Sequence, residues 1–160
     1  MKTTTLDEKV HDFLAEKRIA IAGVSRDTSR PSAANLIYHR LKTSGHDVFA
    51  VNPNMQTFEG DRCYPDLRSI PGGVGGVVIV TRPETAARIV HDCRGAGVRR
   101  VWMHQSLGGG SSVSPAAVEY CRQQDISVIA GACPMMFGPG ADFGHVCMRW
   151  MLRLTGGLPT

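Results

Sequence analysis

The chain has 160 residues, 42% of them hydrophobic and 20% charged, which suits one folded domain and excludes a disordered, fibrous or collagen-like protein. Its net charge of +4 is spread over scattered Arg and Lys residues, and the few aromatics do not interleave with them, so a small polyanion is a better expected partner than nucleic acid. No signal-peptide core follows Met1, and no stretch approaches the roughly 20 apolar residues that span a bilayer, so a cytoplasmic location away from membranes is expected. The cysteines at 63, 93, 121, 133 and 147 are odd in number and form no C-x-x-C pair, which argues for reduced thiols and against a disulfide framework or a zinc site.

In chain order, Thr5-Leu6-Asp7-Glu8 has the form of a capping box, with Leu6, Val10, Phe13 and Leu14 following at helical spacing, so a leading helix is expected within residues 1–17. The apolar run from Arg18 to Val24 reads as a buried strand feeding a tight loop at Gly23-Val24-Ser25. Pro31 suits the first turn of a helix whose apolar face is Ala33, Ala34, Ile37, Tyr38 and Leu41, stopped by Gly45. Asp47 to Val51 is a second strand, halted by Asn52-Pro53, and the stretch from there to Gly76 reads as irregular. Gly76 to Val80 is a third strand, after which Pro83 opens a helix carrying Ala86, Ile89, Val90 and Cys93 on one face.

A fourth strand over Arg99 to Met103 leads through the loop 107–112 to a helix capped by Ser114 with Pro115 in its first turn. Ile126 to Ala130 supplies a fifth strand. In the carboxyl-terminal extension, 138–160, Phe143, Cys147, Trp150, Met151 and Leu154 describe an amphipathic helix begun by Asp142, an apolar face that would suit a dimer contact. Strands alternating with helices imply right-handed crossovers, and the expected fold is α/β, a doubly wound parallel sheet of about five strands in one domain over 1–160.

Such a sheet binds ligands beyond the carboxyl ends of its strands. Those ends read Gly23-Val24-Ser25-Arg26, Asn52-Pro53-Asn54, Thr81-Arg82-Pro83, His104-Gln105-Ser106 and Gly131-Ala132-Cys133-Pro134. Loop amides, serine hydroxyls and the helix start at Pro31-Ser32 suit phosphate oxygens, with Arg26 or Arg30 as a charged clamp. A dinucleotide site would need G-x-G-x-x-G after the first strand and an acid closing the second; this chain has neither, and Asn52-Pro53 stands where the acid would be. Gly72-Gly73-Val74-Gly75-Gly76 precedes a strand and so falls at the wrong edge, and no G-x-x-x-x-G-K-[ST] is present.

Ile19 to Ser25 with Arg30-Pro31-Ser32, Val48 to Pro53, Cys63 to Leu67, Val78 to Pro83 and Val101 to Gln105 occur in an order that resembles the CoA-binding domain family, relatives of the amino-terminal domain of the succinyl-CoA synthetase alpha subunit. The resemblance runs from about residue 15 to 135. It implies a Rossmann-like fold with coenzyme A, free or acylated, laid across the switch point. Carried over by position, Gly23, Ser25, Arg26 and Ser32 meet phosphate, Val51, Asn52 and Pro53 flank the adenosine, Thr81, Arg82 and Pro83 line the pantetheine path, and Gln105 and Gly108 close the cleft. The chain departs from the pattern at Asn54-Met55, where relatives often carry a basic residue for the 3′-phosphate.

The ligase chemistry of the synthetase needs a phosphohistidine loop and a nucleotide-grasp partner that 160 residues do not hold, so a non-catalytic binding or regulatory module is the expectation. His11, His39, His46, His91 and His145 have no carboxylate or cysteine at ligand spacing, and no metal site is expected. The competing expectations are an enzyme that works on a CoA thioester through Cys133 or His104, and an interaction subunit that has lost its ligand.

Overall fold

The computed structural model describes residues 4–27 and 29–159. The capping box forms: Glu8 N–H donates to Thr5 Oγ1 and Thr5 N–H to the Glu8 carboxylate, starting α1 (Leu6–Leu14). There follow β1 (Arg18–Ala22), α2 (Ala33–Thr43), β2 (Asp47–Val51), β3 (Thr57–Phe58), β4 (Asp61–Tyr64), β5 (Gly76–Ile79), α3 (Pro83–Gly95), β6 (Arg100–Met103), α4 (Pro115–Gln123), β7 (Ser127–Ala130), a 3-10 turn at Pro134–Met136 and α5 (Phe143–Thr155). Ser114 and Asp142 cap their helices as the sequence implies, each accepting from a backbone N–H three residues on.

The sheet has seven strands in the order β3-β4-β2-β1-β5-β6-β7, two more than expected. All pairings are parallel except β3 with β4, so counting only the parallel strands along the chain reproduces the doubly wound order 3-2-1-4-5-6. The additional strands lie in the stretch read as irregular. They form a hairpin turned at Glu59 (φ 49°) and Gly60 (φ 86°), the left-handed pair that a two-residue turn requires. Two- and four-residue strands are too short to show a period, and Glu is not the Asn or Asp that usually marks such a turn.

Alternation along the strands builds a core on each face. Ile19, Ile21, Val78 and Trp102 lie under α1, α2 and the segment 132–137, where Phe13 meets the Trp102 ring edge-on at 5.4 Å. Ala20, Val77, Ile79, Val101 and Met103 lie under α3 and α4, against Ala86, Val90, Cys93, Ala117 and Cys121. Every one of these strand residues is essentially solvent-free, as a parallel sheet covered on both faces demands.

One expectation needs correction. Pro31 precedes the helix rather than opening it, because Ser32 is the N-cap and α2 begins at Ala33. The apolar stripe of α5 does not face the core: Phe143 is 84% exposed, Trp150 62% and Leu154 79%, and Cys147 and Met151 are also exposed. The helix docks instead through Met148 and Leu152 and through an Arg153–Asp7 ion pair of 2.6 Å, since α1 and the 132–137 segment already cover that sheet face. Among the described residues no helix is long and apolar enough to cross a membrane.

Candidate functional site

Register places the strand ends level. Ala22 pairs with Val51 and Ile79, Ile79 with Met103, and Met103 with Ala130, so the five loops after these strands leave from one edge. The chain order reverses between β1 and β5, the position at which doubly wound sheets take their ligands. Gly23 sits at this point with φ 111°, and a Cβ on it would lie 2.1 Å from Val80 O. Only glycine lets the loop after β1 turn this close to the end of β5.

Side chains behind the edge hold the loops. Asn35, in the first turn of α2, accepts from Ser25 N–H (3.0 Å) and donates to Ser25 O (2.8 Å), a two-bond clamp. Asn52 Nδ2 donates to Val24 O (2.8 Å) while its Oδ1 accepts from Asn54 N–H (2.9 Å), so this amide braces two loops and keeps one proton and one lone pair free of these two bonds. Ser25 Oγ accepts from Asp27 N–H, and Ser32 Oγ from Asn35 N–H. Ser112, 2% exposed, accepts from Thr81 N–H (2.9 Å) and donates to Thr81 O (2.7 Å), which anchors the loop carrying Arg82.

The sequence-assigned residues therefore divide. Gly23, Ser25, Ser32, Val51, Asn52, Thr81 and Pro83 are buried or half-buried. Arg26, Arg30, Pro53, Arg82, Gln105 and Gly108 are exposed. Arg26 donates only to Asn54 O (3.2 Å), and none of Arg26, Arg30 and Arg82 makes an ion pair among the described residues. Gln105 is tied by its N–H to Ala132 O (3.1 Å) and lies over Gly131, while Gly108 belongs to the projecting loop that also exposes Leu107. Asn35 and Ser112 were not singled out from sequence: their partners are 10 and 31 residues away, and an Asn inside a helix was the one visible oddity.

The two candidate reactive groups are both buried. Cys133 is 7% exposed and packs with the Trp102 core, and burial raises its thiol pKa, keeping it protonated. His104 is 4% exposed; desolvation lowers its pKa, and its ring makes no hydrogen bond among the described residues. Cys93 and Cys121 are likewise held as thiols by burial, Cys121 pushed up to about 12. Among the described residues no three His, Cys, Asp or Glu side chains gather as metal ligands.

Comparison with known proteins decides the family. The family model described as a CoA binding domain matches residues 17–139. The chain belongs to the CoA-binding domain family. Within it, the chain is 26% identical over 116 residues to the ADP-forming acetate–CoA ligase II of Archaeoglobus fulgidus, a match covering 71% of this chain and 17% of the ligase. It thus spans about a sixth of the length of that curated relative. A hypothetical protein from Pyrococcus horikoshii OT3 superposes with a TM-score of 0.73 at 26% identity, covering 84% of this chain and 94% of that one. An acetyl-coenzyme A synthetase of Ca. Korarchaeum cryptofilum in its apo form shares the fold, with a TM-score of 0.57 at 23% identity over 71% of this chain and 25% of that one.

Proposed function

We propose that this CoA-binding domain holds coenzyme A or an acyl-CoA across the β1–β5 crevice as a non-catalytic binding or regulatory module, with all 160 residues acting as one unit. The observation that carries the reading is the set of three exposed arginines, 26, 30 and 82, without carboxylate partners among the described residues, at the sheet edge where Gly23 lets the loop after β1 approach β5. Phosphates meet Arg26, Arg30, the Ser25 and Ser32 hydroxyls and the loop amides; the adenosine lies by Val51 and Pro53; the pantetheine passes Thr81, Arg82 and Pro83 toward Gln105 and Gly108. The bracing role of Asn52 refines the assignment, since it acts through the loop more than through direct contact. Native mass spectrometry of the protein with added CoA tests the reading: a one-to-one CoA adduct is expected, and its absence refutes it.

The alternative, an enzyme acting on a CoA thioester through Cys133 or His104, draws little support from groups that are buried, with a protonated thiol and an imidazole that no hydrogen bond orients. Incubation with acetyl-CoA and product detection separates the two readings, the module predicting no turnover. We assign the protein to the cytoplasm, with neither nucleic acid nor membrane as partner. The exposed Phe143, Trp150 and Leu154 of α5 fit a homodimer contact, and sedimentation of the Trp150→Lys variant tests it by loss of the dimer.

A further inference from the structure

A second recess lies away from the crevice. It is a cavity of about 230 Å³ between the last turns of α2, the end of α1 and the segment 134–139, with walls from Leu14, Ile37, Leu41, Met135 and Phe137. Its polar members are few. Arg40 lines it and forms neither a hydrogen bond through its guanidinium nor an ion pair among the described residues, and Nη2 is shut off from solvent without an acceptor. The guanidinium rests on Gly140, where a Cβ would stand 3.5 Å from Nη2. His46 lines the same recess and donates its Nδ1 proton to Glu16 O (2.8 Å), leaving Nε2 without a partner among the described residues.

A buried donor that lacks an acceptor destabilises a protein, so a guanidinium nitrogen left this way beside an apolar recess marks a position where an acceptor from outside would be welcome. Among the described residues no carboxylate lines the recess. At roughly 30 Å³ per water-sized group, 230 Å³ accommodates about eight heavy atoms. We propose that this recess binds a compact carboxylate with an apolar body of five or six carbons (~8 heavy atoms in all). The carboxylate accepts from Arg40, which turns on its flexible stem to present Nη2, and the apolar body packs on Leu14, Met135 and the accessible edges of Leu41 and Phe137. The proposal does not rest on the coenzyme reading, because none of these residues belongs to the crevice.

Hexanoate, with the matching number of heavy atoms, is the test compound, followed by methyl-resolved NMR of the full chain without CoA. Hexanoate is expected to shift the Ile37, Leu41 and Met135 methyls with a dissociation constant of about 1 mM or tighter, as a ligand of this size can reach. Arg40→Met should weaken binding by about fivefold or more, Arg40→Lys should fall between, and 1-hexanol should bind the wild type about fivefold more weakly than hexanoate. Saturating CoA should leave the hexanoate shifts in place. The proposal is overturned if those methyls do not respond, if hexanol matches hexanoate, if both Arg40 variants bind as the wild type does, or if CoA displaces hexanoate.

Discussion

The two edges of the central sheet handle positive charge differently. At the amino edge, Arg100 is held by both oxygens of Asp12 (2.7 and 2.9 Å) and by Glu16 (2.7 Å), Lys17 faces Asp47 at 3.6 Å, and Arg18 donates to Gly73 O while stacking 4.4 Å over the Phe49 ring. Arg99 is the exception, exposed at the start of β6. At the carboxyl edge, Arg26, Arg30 and Arg82 pair with no acid among the described residues, and Asn35, Asn52 and Ser112 hold the loops there in place. Cations neutralised within the chain serve its fold. Those left open around a braced crevice are available to an anion, and the glycine that allows close approach, Gly23, is at that same edge.

Changes that attack the carboxyl edge should alter binding, and changes at the amino edge should alter only stability. The largest effect is expected from Gly23→Ala, whose Cβ meets a backbone carbonyl at a φ that L residues avoid; a loss of about 3 kcal/mol or more in chemical denaturation, with CoA binding abolished, is expected. Arg26→Ala and Arg82→Ala should each weaken CoA binding by about 1 to 3 kcal/mol in calorimetry, and the affinity should fall further with added salt. If both variants bind like the wild type, the phosphates lie elsewhere, with Arg30 the next candidate. Asn35→Ala removes both bonds that hold Ser25, so a loss of about 1 to 2 kcal/mol in stability and a weaker CoA complex should appear together.

The smallest effect belongs to the amino edge. Arg100→Ala should leave CoA affinity unchanged and cost about 1 kcal/mol or less of stability at neutral pH, because the Asp12 partner is half-exposed. The hydrogen bonds from Arg100 hold the Asp12 carboxyl below its ordinary range. The stabilisation is therefore present above the unfolded-state pKa and is lost as pH falls through the lower folded-state value. Denaturation curves of wild type and variant should converge in acid; a gap that persists there would assign the Arg100 effect to packing.

The sequence exposes the parts of this molecule that depend on local pattern. The five strands found first, β1, β2, β5, β6 and β7, are apolar runs bounded by turn residues, and once they are placed the loops at their carboxyl ends follow by topology. The β3–β4 hairpin escapes because its strands have two and four residues. The flank by which α5 docks escapes because periodicity reveals a stripe and not its partner: Met148 and Leu152, on another flank, make the contact with the core. The residues at the crevice were legible in kind, glycines, serines and arginines at strand ends. The bracing by Asn35 and Ser112 was not, because it joins residues that meet only after folding.

The central claim, that the carboxyl edge is built for coenzyme A and not for a dinucleotide, is tested most directly by titrating one preparation with CoA and with NAD in the same buffer. No acid closes β2 to take both ribose hydroxyls of NAD, and the Asn52 amide that stands in its place bonds Val24 O and Asn54 N–H. CoA is predicted to bind more tightly than NAD, and tighter binding of NAD would contradict the account.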